Sequence, residues 1–350
     1  RPGHRVLDLC AAPGGKSTQI AAKLKGQGLL VANDNARERT KALARNLELA
    51  GVRNAIVLNE EPERLVKVFR AFFDRILVDA PCSGEGMFRK DESMIADWLR
   101  HPAEHWTSMQ REVLRHAAEM LAPGGRLVYS TCTFSPEENE ERIAELLAER
   151  PELEVVRVEP AHGWAPGRPD WVSLEGIDRR HVEAVAGTVR LWPHRTEGEG
   201  HYAAVLRRKG GDSPEASIGM SPHDPAGASG IGATPDRLRA KPRTDAGRRG
   251  EGGKAGKRGK AAAGKDVDPV DSWRAFRADL LPGFVEPPGR LIAIGDLVYA
   301  QPEGVPDLSG LRVVRRGWLL GEARRGRFAP SQALAMGLAA EDAARRADYG

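Results

Sequence analysis

Aromatic residues are scarce, 5% of 350, and cysteine occurs only three times. No apolar run approaches the roughly 20 residues that a membrane-spanning helix needs, so no such helix and no membrane partner are expected. Cys10, Cys82 and Cys132 are odd in number, widely spaced and without a Cys-x-x-Cys pair. That pattern argues against a disulfide framework and against a zinc site. His101 and His105 have no partners at ligand spacing, so no metal is predicted. No secretory signal is visible, and the first residue is Arg1, which is compatible with a start further upstream. The expected setting is reducing and cytoplasmic. No internal repeat is present. Charge, by contrast, is plentiful: 29% of residues are charged, with a net +4. That balance permits a nucleic-acid partner without demanding one.

The length allows two domains and a linker. Apolar runs bounded by Gly, Pro and Asp predict strands over Arg5–Cys10, Leu29–Asn33, Ala55–Leu58, Arg75–Val78 and Gly125–Tyr129. Apolar residues at helical spacing predict helices over Lys16–Leu24, Arg37–Ala50, Pro62–Phe72 and Glu104–Leu121. A further helix is predicted over Pro136–Leu147, with Ser135 as its cap and an acidic first turn. Leu153–Val158 and His201–Leu206 read as the last strands. The alternation predicts an α/β fold over 1–208, a mainly parallel, doubly wound sheet with helices on both faces.

Composition changes after Arg208. Gly, Ala, Pro, Ser, Lys and Arg dominate to about Lys265, so 209–266 is predicted to be a flexible, disordered basic linker. Arg248-Arg249 and Lys257-Arg258-Gly259-Lys260 could touch phosphates there, and a solvated spacer explains them equally well. Apolar patterning resumes at Trp273. Residues 267–350 are expected to form a small α+β module, with helices over Trp273–Leu281 and Pro330–Ala344. Its short strands are expected over Arg290–Ile294, Leu297–Ala300, Leu311–Val314 and Trp318–Leu320. The module is rich in arginine around Arg312, Arg315, Arg316, Arg324, Arg325 and Arg327. A monomer with two loosely tethered modules is the expectation.

Two thiols, Cys82 and Cys132, each follow a predicted buried strand. Ligands of open α/β sheets sit beyond the carboxyl ends of the strands, so the two are expected to face one crevice. Cys10 also follows a strand, and there the plain reading, a small buried residue, is preferred.

Cys10-Ala11-Ala12-Pro13-Gly14-Gly15-Lys16-Ser17 lies between the first strand and the first helix. Small residues let a ligand approach the backbone, and the helix start offers free N–H groups. Gly15-Lys16-Ser17 matches the tail of a phosphate-binding P-loop, but Cys10 stands where that loop needs glycine. Pro13 also removes a backbone donor. An adenosyl cofactor, with Asp34 after the second strand binding ribose hydroxyls, is the other reading.

Three blocks together carry a specific resemblance: Leu9-Cys10-Ala11-Ala12-Pro13-Gly14-Gly15-Lys16-Ser17, Asp79-Ala80-Pro81-Cys82-Ser83-Gly84-Glu85-Gly86 and Ser130-Thr131-Cys132-Thr133. They resemble the signature blocks of the NOL1/NOP2/Sun family of RNA cytosine-5 methyltransferases. Gly86-Met87-Phe88-Arg89-Lys90 and, in the tail, Gly317-Trp318-Leu319-Leu320-Gly321 with Arg327-Phe328-Ala329-Pro330 are similar to the bacterial 16S ribosomal RNA enzymes of the RsmF type. The resemblance implies a Rossmann-like class I fold that uses S-adenosylmethionine, and an RNA-binding role for the C-terminal module. It implies that Cys10, Ala11, Ala12, Pro13, Gly14, Gly15 and Lys16 hold the cofactor and that Asp34 holds its ribose. An acid after the third strand would approach the adenine; Glu61 is the placement made here, with Asn59 and Glu60 as close competitors. Asp79 would close the site between methionine and base. Family members also carry an N-terminal RNA-binding extension and a closing PUA-like domain. The chain is expected to lack both, as a fragment or a shortened member.

The resemblance gives Cys132 the role of nucleophile and Cys82 that of assisting product release. Cytosine C5 is a poor nucleophile until a thiolate adds at C6 and breaks the ring's conjugation. A free thiol has a pKa of about 8.5, so lowering it by about two units is worth roughly 2.7 kcal/mol. Candidate causes are Lys16, Lys90, Arg89 and the helix after Ser135. Asp79 is expected to bond the cytosine amino group and N3. The base must be unstacked, so the RNA is single-stranded there or has its cytosine extruded. For Arg89 and Lys90 alone a solvated charge is the better reading, and for Trp98 and Trp106 helix packing is. Leu191 to His201 resembles the family's segment on the RNA side, and a turn-rich loop explains it nearly as well. Ribosomal RNA, most of all 16S, is the expected substrate. Transfer RNA, or an inactive RNA-binding assembly factor, are the alternatives.

Overall fold

A computed structural model describes residues 1–211, 268–324, 327–339 and 342. From residue 212 on, the expected linker lies outside the described residues. In chain order the first part holds β1 (Arg5–Asp8), α1 (Gly15–Leu24), β2 (Leu29–Asn33), α2 (Arg37–Leu49), β3 (Ala55–Leu58), α3 (Pro62–Phe69) and β4 (Phe73–Asp79). It continues with α4 (Ser93–Arg100), α5 (Ala103–Met120), β5 (Leu121–Thr131), α6 (Glu140–Glu149), β6 (Leu153–Val155), β7 (Ala165–Pro166), α7 (Arg179–Ala184), β8 (Val189–Leu191) and β9 (His201–Arg208). The second part holds α8 (Pro269–Leu280), β10 (Gly289–Ile294), β11 (Leu297–Pro302), β12 (Val313–Arg315), β13 (Trp318–Arg324), β14 (Arg327–Pro330) and α9 (Gln332–Gly337).

The larger sheet runs β12-β3-β2-β1-β4-β5-β9-β8-β7, with β6 also on β9. β3, β2, β1, β4 and β5 are parallel, and the others join antiparallel. Every residue of β2 and β3 is buried, as expected of parallel strands covered on both faces. Strand order reverses between β1 and β4, which opens a crevice at their carboxyl ends. The doubly wound α/β expectation therefore describes this part. α5 packs the face over β4 and β5 with Val113, Leu114, Ala117 and Ala118, whose spacing of three and four forms one apolar stripe. Among the described residues, no helix is long and apolar enough to cross a membrane.

Three expectations need correction. The helix expected from Pro136 begins at Glu140. Asn139 explains the delay: it accepts from Thr131 Oγ1 at 2.6 Å and donates to Thr133 O at 3.0 Å. That tie to the end of β5 holds Asn139 at φ −112°, ψ −96°, outside helical geometry. The helix expected over Pro330–Ala344 is α9, only Gln332–Gly337, started by Ser331 Oγ accepting from Leu334 N. Residues 343–350 lie outside the described residues.

The third correction concerns the tether. The strand expected over Leu311–Val314 is β12, and it pairs with β3, Val313 opposite Leu58. The C-terminal segment thus extends the larger sheet instead of hanging loosely from it. Two causes are visible. β3 would otherwise present an unpaired edge, and Leu308 is buried in the same core as β1 and β4. Arg315 is also buried, donating to Val52 O and Gly317 O. One of the arginines in which the module is rich therefore serves docking. The rest of the module is the antiparallel sheet β10-β11-β13-β14 over its own core of Trp273, Phe284, Trp318, Leu320 and Leu334.

Candidate active site

The loops after β1, β2, β3, β4 and β5 converge on one cavity of about 680 Å³, a volume suited to a small ligand. Of the residues assigned to the cofactor from sequence, Cys10, Ala12, Asp34, Glu61 and Asp79 line it. Ala11, Pro13, Gly14, Gly15 and Lys16 complete the turn beside it. Gly14 needs its lack of a side chain: its φ is +111°, and a Cβ would lie 3.1 Å from Leu43 Cδ1. A Cβ on Gly15 would meet nothing within 4 Å, and α1 starts without a side-chain cap, so its first N–H groups stay available.

Asp34 is buried and oriented. Its Oδ2 accepts from Ala12 N at 3.1 Å and its Oδ1 from Ala36 N at 2.9 Å. Of the three competitors after β3, Asn59 turns away, donating to Asp34 O at 2.8 Å. Glu60 is fully buried and bonded to Arg312. Glu61 is exposed on the cavity and accepts from Asn35 at 3.3 Å. Sequence reasoning missed Asn35, Arg39, Met94, Met109, Val113 and His116 on the cavity wall. The last four come from α4 and α5, and only the folded placement of these helices beside the cavity marks them.

Asp8 lies beneath the turn. It is buried, accepts from Ser17 Oγ at 2.6 Å, and leaves Oδ1 without a partner. Burial pushes its carboxyl up to about 7, partly opposed by the Ser17 hydrogen bond.

The thiols of Cys82 and Cys132 are 3.4 Å apart, and Cys132 N donates to Cys82 Sγ at 3.3 Å. Their tendencies are opposite. The hydrogen bond to Cys132, and then burial, push the Cys82 thiol well up. The hydrogen bond from Cys82 holds the Cys132 thiol below its ordinary value, against burial and the Asp79 charge, with Lys16 helping. Of the four candidate causes, Lys16 is the one that acts on Cys132. Arg89 instead donates to Gly198 O at 2.9 Å, and the helix after Ser135 starts only at Glu140. The Cys10 thiol is pushed up by burial and then by Asp8, Asp34 and Asp79, so it is inert.

Asp79 bridges the parts. Its Oδ2 meets Lys16 Nζ at 2.5 Å and its Oδ1 accepts from Ser130 Oγ at 2.7 Å. Glu85 binds the thiol loops together: Oε2 accepts from Thr133 Oγ1 at 3.1 Å and from Phe134 N at 3.0 Å. Its Oε1 accepts from Trp98 Nε1 at 3.1 Å, so Trp98, read from sequence as helix packing, also anchors this loop. Gly86 N donates to Cys132 O at 2.8 Å. A Cβ on Gly86 would sit 2.5 Å from Gly200 O, so the Leu191 to His201 segment closes against the site.

A mainly parallel sheet with its crevice at the point where strand order reverses, an acid at the end of β2 and the antiparallel β9 beside β5 fit a class I methyltransferase fold. Residues 1–207 match the family described as 16S rRNA methyltransferase RsmB/F, and residues 275–338 match the RsmF rRNA methyltransferase first C-terminal domain. The chain belongs to the RsmB/F family. It is 35% identical over 226 residues to ribosomal RNA small subunit methyltransferase F of Cronobacter sakazakii, across 63% of this chain and 44% of that protein. Identity to the 25S rRNA (cytosine-C(5))-methyltransferase nop2 of Schizosaccharomyces pombe is 34% over 222 residues, 62% and 36% of the two chains. The crystal structure of PH0851 overlays with a TM-score of 0.50 at 32% identity, covering 59% of this chain and 43% of that one. The chain spans less than half the length of these relatives.

Two outcomes are expected from the ionisable groups. Asp8 has its carboxyl raised on folding, so its contribution to stability is full below about pH 4 and is lost as pH rises toward 7. Asp8→Asn should therefore gain on the wild type between pH 5 and pH 8, by about 1–4 kcal/mol. Urea unfolding at both pH values measures this, and a difference that is flat with pH defeats it. With iodoacetamide, Cys132 should be modified first and at lower pH than a free cysteine, well ahead of Cys82. Peptide mass mapping reads the order, and labelling of Cys82 ahead of Cys132 contradicts it.

Proposed function

We propose that this protein methylates C5 of a cytosine in ribosomal RNA, using S-adenosylmethionine and a transient bond from Cys132 Sγ to C6. The observation that carries this reading is the thiol pair, 3.4 Å apart with opposite pKa tendencies, beside the Lys16–Asp79 pair on a cofactor-sized cavity. The family match and the names of the relatives support the same chemistry. The residues present suit the cofactor. Asp34 is a fixed carboxylate for ribose hydroxyls, Glu61 offers an acceptor further along the wall, and the turn Cys10 to Lys16 lets backbone N–H groups approach a ligand.

When bound, the cofactor supplies an electrophilic methyl group. The chain's own residues prepare the base. Cys132, favoured as thiolate by the Cys82 S–H and Lys16, adds to C6 and makes C5 enamine-like. After methylation a solvent water takes the C5 proton, the electrons of that C–H bond re-form the C5–C6 double bond, and the C6–S bond breaks to release the Cys132 thiolate. Cys82, whose high pKa keeps its S–H at neutral pH, donates to that departing sulfur. Asp79, held by Lys16 and Ser130, accepts from the cytosine amino group and from a protonated N3, whose charge also eases attack at C6, whereas uracil presents an acceptor oxygen in place of the amino group. The base must leave its stack to present both faces. A 16S target is supported by the RsmF C-terminal match over 275–338 and by the small-subunit relatives.

Tritium transfer from labelled S-adenosylmethionine to ribosomal RNA tests the scheme. Cys132→Ala should lose at least about a thousandfold in rate. Cys82→Ala should accumulate a covalent protein–RNA adduct on denaturing gels. An adduct that persists in Cys132→Ala would reverse the two roles. Asp79→Asn should lower turnover by about tenfold or more while cofactor affinity stays within about threefold, and unchanged turnover removes Asp79 from the chemistry. Bisulfite mapping of cellular RNA identifies the cytosine.

A further inference from the structure

We infer that Arg312, which belongs to the C-terminal segment and lies off the cavity wall, is a positioning residue for the cofactor. The inference rests on the methyltransferase reading above. Arg312 acts through Glu60. That carboxylate is fully buried and sits on the cavity wall. Its Oε1 accepts from Arg312 N at 2.6 Å, and its Oε2 lies 3.3 Å from Arg312 Nη2 and 3.4 Å from Arg64 Nε. The reverse bond, Asn59 N to Arg312 O at 3.0 Å, closes a two-sided clasp between β12 and the turn after β3.

The clasp continues into the cofactor side. Glu60 N donates to Asn33 Oδ1 at 3.0 Å, and Asn33 Nδ2 donates back to Glu60 O at 3.0 Å and to Leu9 O at 3.3 Å. Asn33 directly precedes Asp34, and Glu60 directly precedes Glu61, the two acids offered to the cofactor. A run of hydrogen bonds thus leads from Arg312 to the residues that immediately precede both in the chain. A buried carboxylate without its donors is costly. Losing the guanidinium keeps the backbone donor on Oε1 but leaves Oε2 with Arg64 Nε alone, at 3.4 Å, so that oxygen turns toward water in the cavity or toward Glu61, and either change deforms the wall that the cofactor must meet. The Arg312 side chain is itself 58% exposed, so its removal leaves no void in the core.

Calorimetric titration of the intact chain with S-adenosylhomocysteine reads this directly. Arg312→Ala should weaken binding by about threefold to tenfold, the scale of one charge-assisted hydrogen bond. The Michaelis constant for S-adenosylmethionine should rise by a like factor, with kcat within about twofold. Arg312→Lys, which keeps the charge, should recover most of the affinity. Arg274→Ala, a surface change in the same segment, should do nothing. Affinity equal to wild type in Arg312→Ala, with or without a lower melting temperature, overturns the inference, as does a lysine variant as weak as the alanine one. A wild-type chain that fails to bind S-adenosylhomocysteine overturns the cofactor reading itself, and this inference with it.

Discussion

The register of β4 on β5 is the constraint on which the site depends. Asp79 stands opposite Ser130, and Ala80 N donates to Ser130 O at 2.8 Å just beyond. Both strands end there, and each chain then turns outward carrying a cysteine. Because the strands are parallel, the two exits lie side by side at the same height, and the sulfurs meet. A slip of one residue would turn Asp79 to the other face of the sheet and pull the loops apart. The ties from Glu85, Gly86, Ser83 and Glu138 across the two loops keep that register up to the thiols.

The meeting of sulfurs then sets the electrostatics. Neither thiol has a cation as its largest influence. Each is governed first by the other, so one is made more acidic as its neighbour is made less so. Lys16 contributes at a distance while neutralising Asp79, which lets a carboxylate stand near a sulfur that is to carry negative charge. The site is a balance of three acids and one lysine, and Asp8 underneath adds a fourth acid whose carboxyl burial raises to about 7.

Much of this was legible beforehand. Runs such as Leu29-Leu30-Val31-Ala32 and Ala55-Ile56-Val57-Leu58 are apolar throughout, which in short strands means burial on both faces. Turns such as Ala11-Ala12-Pro13-Gly14-Gly15 punctuate them, so the alternation could be read directly. The side to which a carboxylate turns was not legible. Asn59, Glu60 and Glu61 are adjacent and polar, and only the arrival of Arg312 from 252 positions away assigns Glu60 to the clasp. The strand over Leu311–Val314 was legible, but its pairing with β3 was not, for the same reason: the partner lies far away along the chain. The late start of α6 followed from Asn139 bonding back to β5, a contact that no helical periodicity encodes.

The docking of β12 has one more effect. A broad open sheet normally offers two long rows of unsatisfied amides along its flanks, ready to recruit another extended chain. Here the described sheet terminates in β12, three residues long, and β7, two residues long. So brief a margin gives a wandering strand almost nothing to zip onto. This sheet thereby resists fibrous self-association, and Pro166 in β7 removes one further donor from that margin.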